Sequence, residues 1–158
     1  MPKRPAAKPA RPAKPTKPAP VRPAAKPAPA APAATRRVVL SSTSPVRGET
    51  KAVSVAGPCR LLGACAVLSS AGAGISPIGL EIDGELLHLV RCDQLVQRGH
   101  DRPNPTGAYA THAAYGNTWS AVFGWSTPVA VAREVRLLLQ VAEDIAEVEL
   151  AIVVTAAT

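Results

Sequence analysis

The strongest constraint on the fold comes from an apolar alternation in the last long hydrophobic segment, residues 133–154. Hydrophobic side chains occupy every second position in two runs, which are Val135, Leu137, Leu139 and Val141, then Val148, Leu150, Ile152 and Val154. Side chains two residues apart lie on the same face of a β-strand, so each run predicts a strand with one buried face. The short polar stretch 142–146 can reverse the chain, and the simplest prediction is an antiparallel hairpin.

A helix is the alternative for the first half of this segment. Thr127 followed by Pro128 has the form of a helix N-cap and first helical residue. Apolar residues also recur at helical spacings of three and four, at Val131, Val135, Leu138, Ala142 and Ile145. Residues 148–154 favour strands, because they are rich in β-branched side chains and lack a strong polar helical face. We therefore predict strands on both sides of the reversal.

Shorter apolar runs, separated by glycine and proline, indicate further strands. They are residues 51–55, 60–69, 78–82, 85–92 and 118–125. Asp83 and Gly84 suit a two-residue type I′ turn, since both tolerate left-handed backbone angles. Six or more short strands with such breaks predict an all-β chain that forms an antiparallel β-sandwich of the jelly-roll kind.

The two-residue turn also predicts which side chains share a face of its hairpin. The expected faces are Leu80, Ile82, Leu87 and Leu89 on one side, and Leu86, His88 and Val90 on the other. Residues 71–76 and 98–117 are expected to be loops, because glycine, serine, alanine and proline interrupt any regular pattern there.

The N-terminal stretch has a different character from the rest of the chain. Residues 1–37 contain ten Lys or Arg and no acidic residue, whereas residues 38–158 contain eight basic and eleven acidic residues. Residues 1–34 also contain eleven prolines, so this stretch cannot bury enough apolar surface to fold alone. The sequence predicts an extended, intrinsically disordered basic arm over residues 1–37 and a β-sandwich domain over residues 38–158.

The basic arm carries a regular pattern of charge. Lysine or arginine recurs at every third residue from Lys8 to Lys17, and proline does the same from Pro9 to Pro18. Polyproline II has three residues per turn, so this stretch would present a cationic stripe beside a proline stripe. The residues predicted to bind anions or a partner are Lys8, Arg11, Lys14, Lys17, Arg22, Lys26, Arg36 and Arg37.

All five aromatic residues fall between residues 109 and 125. Trp119, Phe123 and Trp125 occupy odd positions of one predicted strand and would share a face, where large rings commonly fill a core. The alternative is a contact patch that anchors a subunit interface or stacks on sugars or bases. The residues predicted for such an interface patch are Tyr109, Tyr115, Trp119 and Trp125.

The sequence contains no recognisable catalytic or metal-binding pattern. His100, Asp101 and His112 lack the spacing typical of metal ligands, and no phosphate-binding loop or nucleophile elbow is present. We therefore predict that the chain is not an enzyme and takes no metal or cofactor.

The cysteines and the uncharged stretch 61–80 point to core packing. The three cysteines, an odd number, lack CxxC spacing, which indicates neither a disulfide framework nor a zinc ribbon. Cys59 and Cys65 are expected to share one strand face. Residues 61–80 include four glycines and Pro77, so no membrane span is predicted there.

The basic Pro/Ala-rich arm resembles the N-terminal arms of icosahedral virus coat proteins, and also the Lys/Pro/Ala-rich tails of linker-histone-like proteins. With the β-domain that follows, the chain resembles in layout a small virion protein, either a jelly-roll coat subunit or a capsid decoration protein of a tailed bacteriophage. The resemblance implies a homo-oligomer that packs on other capsid subunits, in a virion assembled in the host cytoplasm. It also implies that the arm lies along the capsid or reaches nucleic acid.

Two other functions are compatible with the sequence. A nucleoid or histone-like protein would bind DNA through the arm alone, and its domain would serve to dimerise. A carbohydrate-binding β-sandwich would use Trp119, Tyr115 and Tyr109 as a stacking platform.

Overall fold

The computed structural model describes residues 34–104 and 107–157, and it is built almost entirely of strands. The strands are β1 Thr35–Thr43, β2 Thr50–Ala56, β3 Cys59–Ser69, β4 Ile78–Ile82, β5 Glu85–Val90, β6 Ala108–Ala113, β7 Thr118–Val131, β8 Glu134–Gln140 and β9 Glu147–Ala156. A short helix, α1, spans Cys92–Gln97, and one 3-10 turn spans Ala73–Ile75. The all-β prediction is confirmed.

The strands form two antiparallel sheets that pack as a sandwich. One sheet has the order β1-β9-β3-β7-β6, and the other has the order β2-β8-β4-β5. The pairs β1–β9, β2–β8, β3–β7 and β4–β5 alternate between the two sheets, like one long hairpin rolled around the core. This is the arrangement of a jelly roll, with β6 added at one edge through its hairpin with β7.

The alternating runs near the C-terminus supply the centre of this core. These runs contain eight apolar residues, and all of them are buried: Val135, Leu137, Leu139, Val141, Val148, Leu150, Ile152 and Val154. Strands were predicted correctly on both sides of residues 142–146, and the helix alternative is wrong.

The predicted hairpin between these two strands is also wrong, because β8 and β9 belong to different sheets. The connection crosses the end of the sandwich and bonds to other elements: the Ala146 N–H donates to the Ser69 carbonyl at 2.9 Å. The Ala142 N–H donates to the buried Ser76 hydroxyl at 3.1 Å. Alternation specifies a buried face but not the neighbouring strand, and two sheets of a sandwich bury their faces against each other.

A β-bulge in β3 separates two cysteines that were expected to share a face. Leu61 pairs with Val154 of β9 and Gly63 pairs with Val153, so β3 holds one extra residue at this point. The extra residue reverses the alternation. Cys59 therefore points into the core, whereas Cys65 lies half-buried on the outer face, and the expectation of a common face is wrong.

The turn between β4 and β5 has the predicted geometry. Asp83 and Gly84 both have positive φ, at 56° and 89°. A bulge then shifts the register, because Leu80 pairs with His88 while Glu81 pairs with Leu86. As a result, the faces expected for this hairpin are wrong for the return strand: His88 and Val90 join Leu80 on the core side, and Leu89 lies outside.

Two regular elements occur where loops or strand were expected. Strand β6 lies within the predicted loop 98–117, and α1 begins at Cys92, where a strand was expected to end. The Arg91 side chain does not cap the helix, so no N-cap signal was visible in the sequence. The 3-10 turn likewise replaces part of the expected loop 71–76 and buries Ala73.

Candidate functional site

The residues of the predicted basic arm fall in two groups. Lys8, Arg11, Lys14, Lys17, Arg22 and Lys26 lie outside the described residues. Strand β1 begins at Thr35, so Arg36 and Arg37 belong to it. The Arg37 guanidinium forms an ion pair with the Glu149 carboxylate of β9. The last two cations of the arm thus lie on an edge strand of the five-stranded sheet.

Three of the five aromatic residues pack on the core. Phe123 is buried, and Trp119 and Trp125 are half-buried against the same cluster. The His112 ring stacks on Trp119 with 3.9 Å between ring centroids, and a β-carbon on Gly74 would lie 2.7 Å from Trp119 Cε2. The predicted common face of the three rings therefore serves the core.

The two tyrosines lie elsewhere, and the four residues of the predicted interface patch do not form one surface. Tyr115 is 101% exposed in the turn between β6 and β7. Tyr109 pairs with Val122 on the outer face of its sheet. A groove of about 310 Å³ brings Tyr109 and Trp125 together, while Tyr115 and Trp119 are not part of its lining.

An exposed apolar surface on β5 was not anticipated from the sequence. Leu86, Leu87 and Leu89 are 50%, 46% and 61% exposed, and we call them the leucine patch. Part of this surface could have been predicted, because four of the five residues from Leu86 to Val90 are apolar and they fall on both faces of a strand. Its location at a sheet edge was not visible, since edge position depends on the pairing of distant strands.

The Asp83 carboxylate is held by three backbone N–H groups from a distant part of the chain. It accepts backbone hydrogen bonds from Ala132 at 2.9 Å, Arg133 at 2.6 Å and Glu134 at 3.0 Å. These three N–H groups stabilise the charged form and lower the Asp83 pKa below its usual value. The site ties the β4–β5 turn to the turn between β7 and β8, which is a structural role.

Burial disfavours the charged forms of other titratable groups near the core. Burial raises the pKa of the Cys92 thiol to about 12, so at neutral pH it is protonated and a poor nucleophile. Burial also lowers the pKa of His88, whose ring lies 5.7 Å from that of Phe123. Across residues 34–104 and 107–157, no group of three or more His, Cys, Asp or Glu side chains could hold a metal ion.

Within residues 34–104 and 107–157, no helix has the length and apolar character needed to cross a membrane. The uncharged stretch 61–80 instead contributes most of β3, the 3-10 turn and the beginning of β4.

Comparisons with known proteins add little to this picture. No protein-family model matches the chain, and no curated protein matches it. Among solved structures, the chain is similar to dimeric latent PorU from Porphyromonas gingivalis, with a TM-score of 0.30 and 14% sequence identity. That likeness covers 77% of this chain and 13% of the PorU chain.

Proposed function

We propose that this protein is a structural component of a virus particle, either a coat subunit or a capsid decoration protein. Its β-sandwich packs against neighbouring subunits as a homo-oligomer. Its basic arm anchors the subunit along the capsid or on nucleic acid.

The observation that carries the proposal is the position of the basic stretch relative to the fold. Jelly rolls occur in viral capsid proteins, lectins and cupins, so the fold alone does not select a function. Here a stretch with eight cationic residues, 1–34, leads directly into β1, an edge strand of the roll that carries two more. The proposal needs the cationic stretch to reach a neighbouring subunit or nucleic acid, and its connection to an edge strand is compatible with that.

The distribution of charge along the chain supports different binding roles for the arm and the domain. Residues 38–158 carry eleven acidic and eight basic residues, while the ten cations of residues 1–37 have no acidic neighbours in sequence. Binding to phosphates through such an arm releases counterions and depends steeply on salt. Contacts between the sandwich domains depend on packing and are less sensitive to salt.

The test measures the affinity of the protein for DNA at several salt concentrations. Light scattering measures the molar mass of the protein species with and without DNA, which shows whether the protein self-associates. In one variant of the full chain, glutamine replaces Lys8, Arg11, Lys14 and Lys17. In a matched control, glutamine replaces four exposed cations of the domain, Arg47, Arg60, Arg98 and Arg102.

We expect the arm variant to bind DNA more weakly and to flatten the slope of log affinity against log salt by up to about 3.6, at about 0.9 per phosphate contact. The control should keep the wild-type slope, and all three proteins should self-associate without DNA. A protein that stays monomeric without DNA and binds it through the arm would support the nucleoid-type function instead. An unchanged slope in the arm variant would exclude the arm as an anchor on nucleic acid.

A further inference from the structure

The four-stranded sheet has one of its two open edges at β5. β5 pairs with β4 on one side, and no other described strand pairs with it. Its outward N–H and C=O groups can therefore accept another extended strand. The edge strands β1 and β2 carry Arg36, Arg37 and Lys51, the positive charges that commonly protect natural edges, whereas β5 and β6 have no Lys or Arg. Of these two strands, β5 is the one with exposed leucines.

The outer face beside this edge is mostly apolar, and its two charged side chains, Glu81 and Arg136, form an ion pair. Leu89 pairs with Gly79 of β4, which pairs with Leu138 of β8, so an apolar row crosses three strands. In the neighbouring row, Arg136 Nη1 lies 3.2 Å from Glu81 Oε2. A second apolar strand on this edge would contact leucine side chains on the outer face without burying an unpaired charge there.

The bulge in β5 makes the strand compatible with a copy of itself. Leu87 is the extra residue, so Leu86 and Leu89 share the outer face although they are three positions apart. In a two-fold antiparallel pair, directly opposed residues must point to the same face. In a strand without a bulge, residues three positions apart point to opposite faces and cannot lie opposite each other in such a pair. The bulge in β5 removes this restriction, so Leu86 can lie opposite Leu89 of the second copy.

We propose that β5 pairs antiparallel with β5 of a second copy of this chain, which joins the two four-stranded sheets into one eight-stranded sheet. In this register Leu86 opposes Leu89 of the other copy, Leu87 opposes His88, and Glu85 opposes Val90. No like charges face each other across the two-fold axis. The four outer leucines form one cluster, bordered at each end by an Arg136–Glu81 pair.

The contact rests on the proposed function and deepens it, because it names the surface through which one subunit meets the next. One short strand and three half-exposed leucines offer much less than the roughly 800 Å² per partner of a standard stable interface. The isolated pair is therefore concentration-dependent, and further contacts in an assembly strengthen it through multivalency.

Disulfide trapping tests the register directly. Directly opposed antiparallel residues have Cα atoms about 4.5–5.5 Å apart, within the range that a disulfide spans. Full-length L86C and L89C proteins, each with Cys65→Ser to remove the half-buried native thiol, are mixed and oxidised. We expect the mixed dimer to form in preference to either homodimer, and a V46C plus L89C mixture, with the exposed Val46 as control, to stay unlinked.

A charge substitution tests the contact without cross-linking. Light scattering over a concentration series should show that L89K weakens self-association by about tenfold or more, while V46K leaves it unchanged. Circular dichroism checks that both variants remain folded. If L89K does not fold, the disulfide trapping with L86C and L89C tests the pairing alone.

Several results would overturn the proposed pairing. They are a wild-type protein that remains monomeric at every concentration, equal cross-linking of all cysteine combinations, and wild-type association by folded L89K. If folded L89K still associates like the wild type, the β5 pairing is wrong but the proposal of a virion subunit stands, with its interface on another surface. Failure of the pairing can therefore be distinguished from failure of the virion proposal.

Discussion

At the scale of single residues, Asp83 shows how one side chain can connect two turns distant in sequence. Its positive φ closes the β4–β5 turn, and its carboxylate accepts three N–H groups from residues 132–134. The sequence predicted the turn from Asp-Gly chemistry alone. The second role depends on a turn some fifty positions further along the chain, which local sequence does not reveal.

The Asp83 carboxylate should make stability depend on pH. Because its pKa is lowered in the folded state, its contribution is fully present above the unfolded pKa, about 3.9, and is lost as pH falls through the lower folded value. We expect D83N to unfold at lower urea concentration than the wild type at pH 7. The difference should shrink below about pH 4.

Urea titrations of both proteins from pH 7 to pH 3 provide the measurement, with D101N as the control because Asp101 is exposed. A D83N midpoint that equals that of the wild type at pH 7 would show that the three hydrogen bonds contribute nothing net to stability.

At the scale of elements, bulges decide which faces the strands bury. The alternation in β8 and β9 is regular, and every apolar residue predicted for their core faces is buried. In β3 and β5 one extra residue reverses the alternation, so the face predictions for Cys65 and Leu89 fail. A bulge is specified by pairing with the neighbouring strand, which local alternation does not encode.

Two paired glycines beside the β3 bulge should respond differently to the same substitution. A β-carbon on Gly63 would lie 2.9 Å from the Phe123 backbone oxygen, whereas nothing lies within 4 Å of one on Gly124. We expect G63A to lower the free energy of unfolding by about 1–3 kcal/mol. G124A should leave it unchanged or raise it by up to about 1 kcal/mol.

Chemical denaturation of the two variants beside the wild type measures both values. Equal effects would mean that the paired backbones of β3 and β7 shift to accommodate the added methyl group. The close approach to Phe123 would then not constrain this part of the sheet.

At the scale of the whole molecule, the roll closes only when the two ends of the domain meet. Thr35 of β1 pairs with Thr155 of β9, and Val38 and Leu40 of β1 pack against the common core. The core of the described residues lies entirely within residues 35–156. The basic stretch before β1 is therefore not needed to complete it.

Removal of residues 1–33 should leave the thermal unfolding midpoint unchanged, because β1 and the core remain intact. Removal of residues 1–43 deletes β1 as well, exposes the edge of β9, and should lower the midpoint or prevent folding. Circular dichroism during heating compares the three chains. A lower midpoint in the shorter deletion would mean that residues before Ala34 pack on the domain.

Local sequence was sufficient for the class of the fold, most strands and the central core, because strand periodicity and turn chemistry act between residues that are close in the chain. The composition also changes near Thr35, although the predicted arm extended to residue 37 and β1 already begins at Thr35. For the candidate site, strand alternation predicted the core-facing side shared by Trp119, Phe123 and Trp125, but the leucine patch did not follow from the sequence.

Tertiary structure alone decided the partners of the strands. Residues 142–146 could close a hairpin or cross between sheets with the same buried faces, and the free energy of the complete sandwich selects between them. The same holds for the exposure of Leu89, which requires the β5 bulge and the absence of a further described strand beyond β5. Both outcomes depend on contacts between distant segments, and the alternation of side chains within one segment carries no information about them.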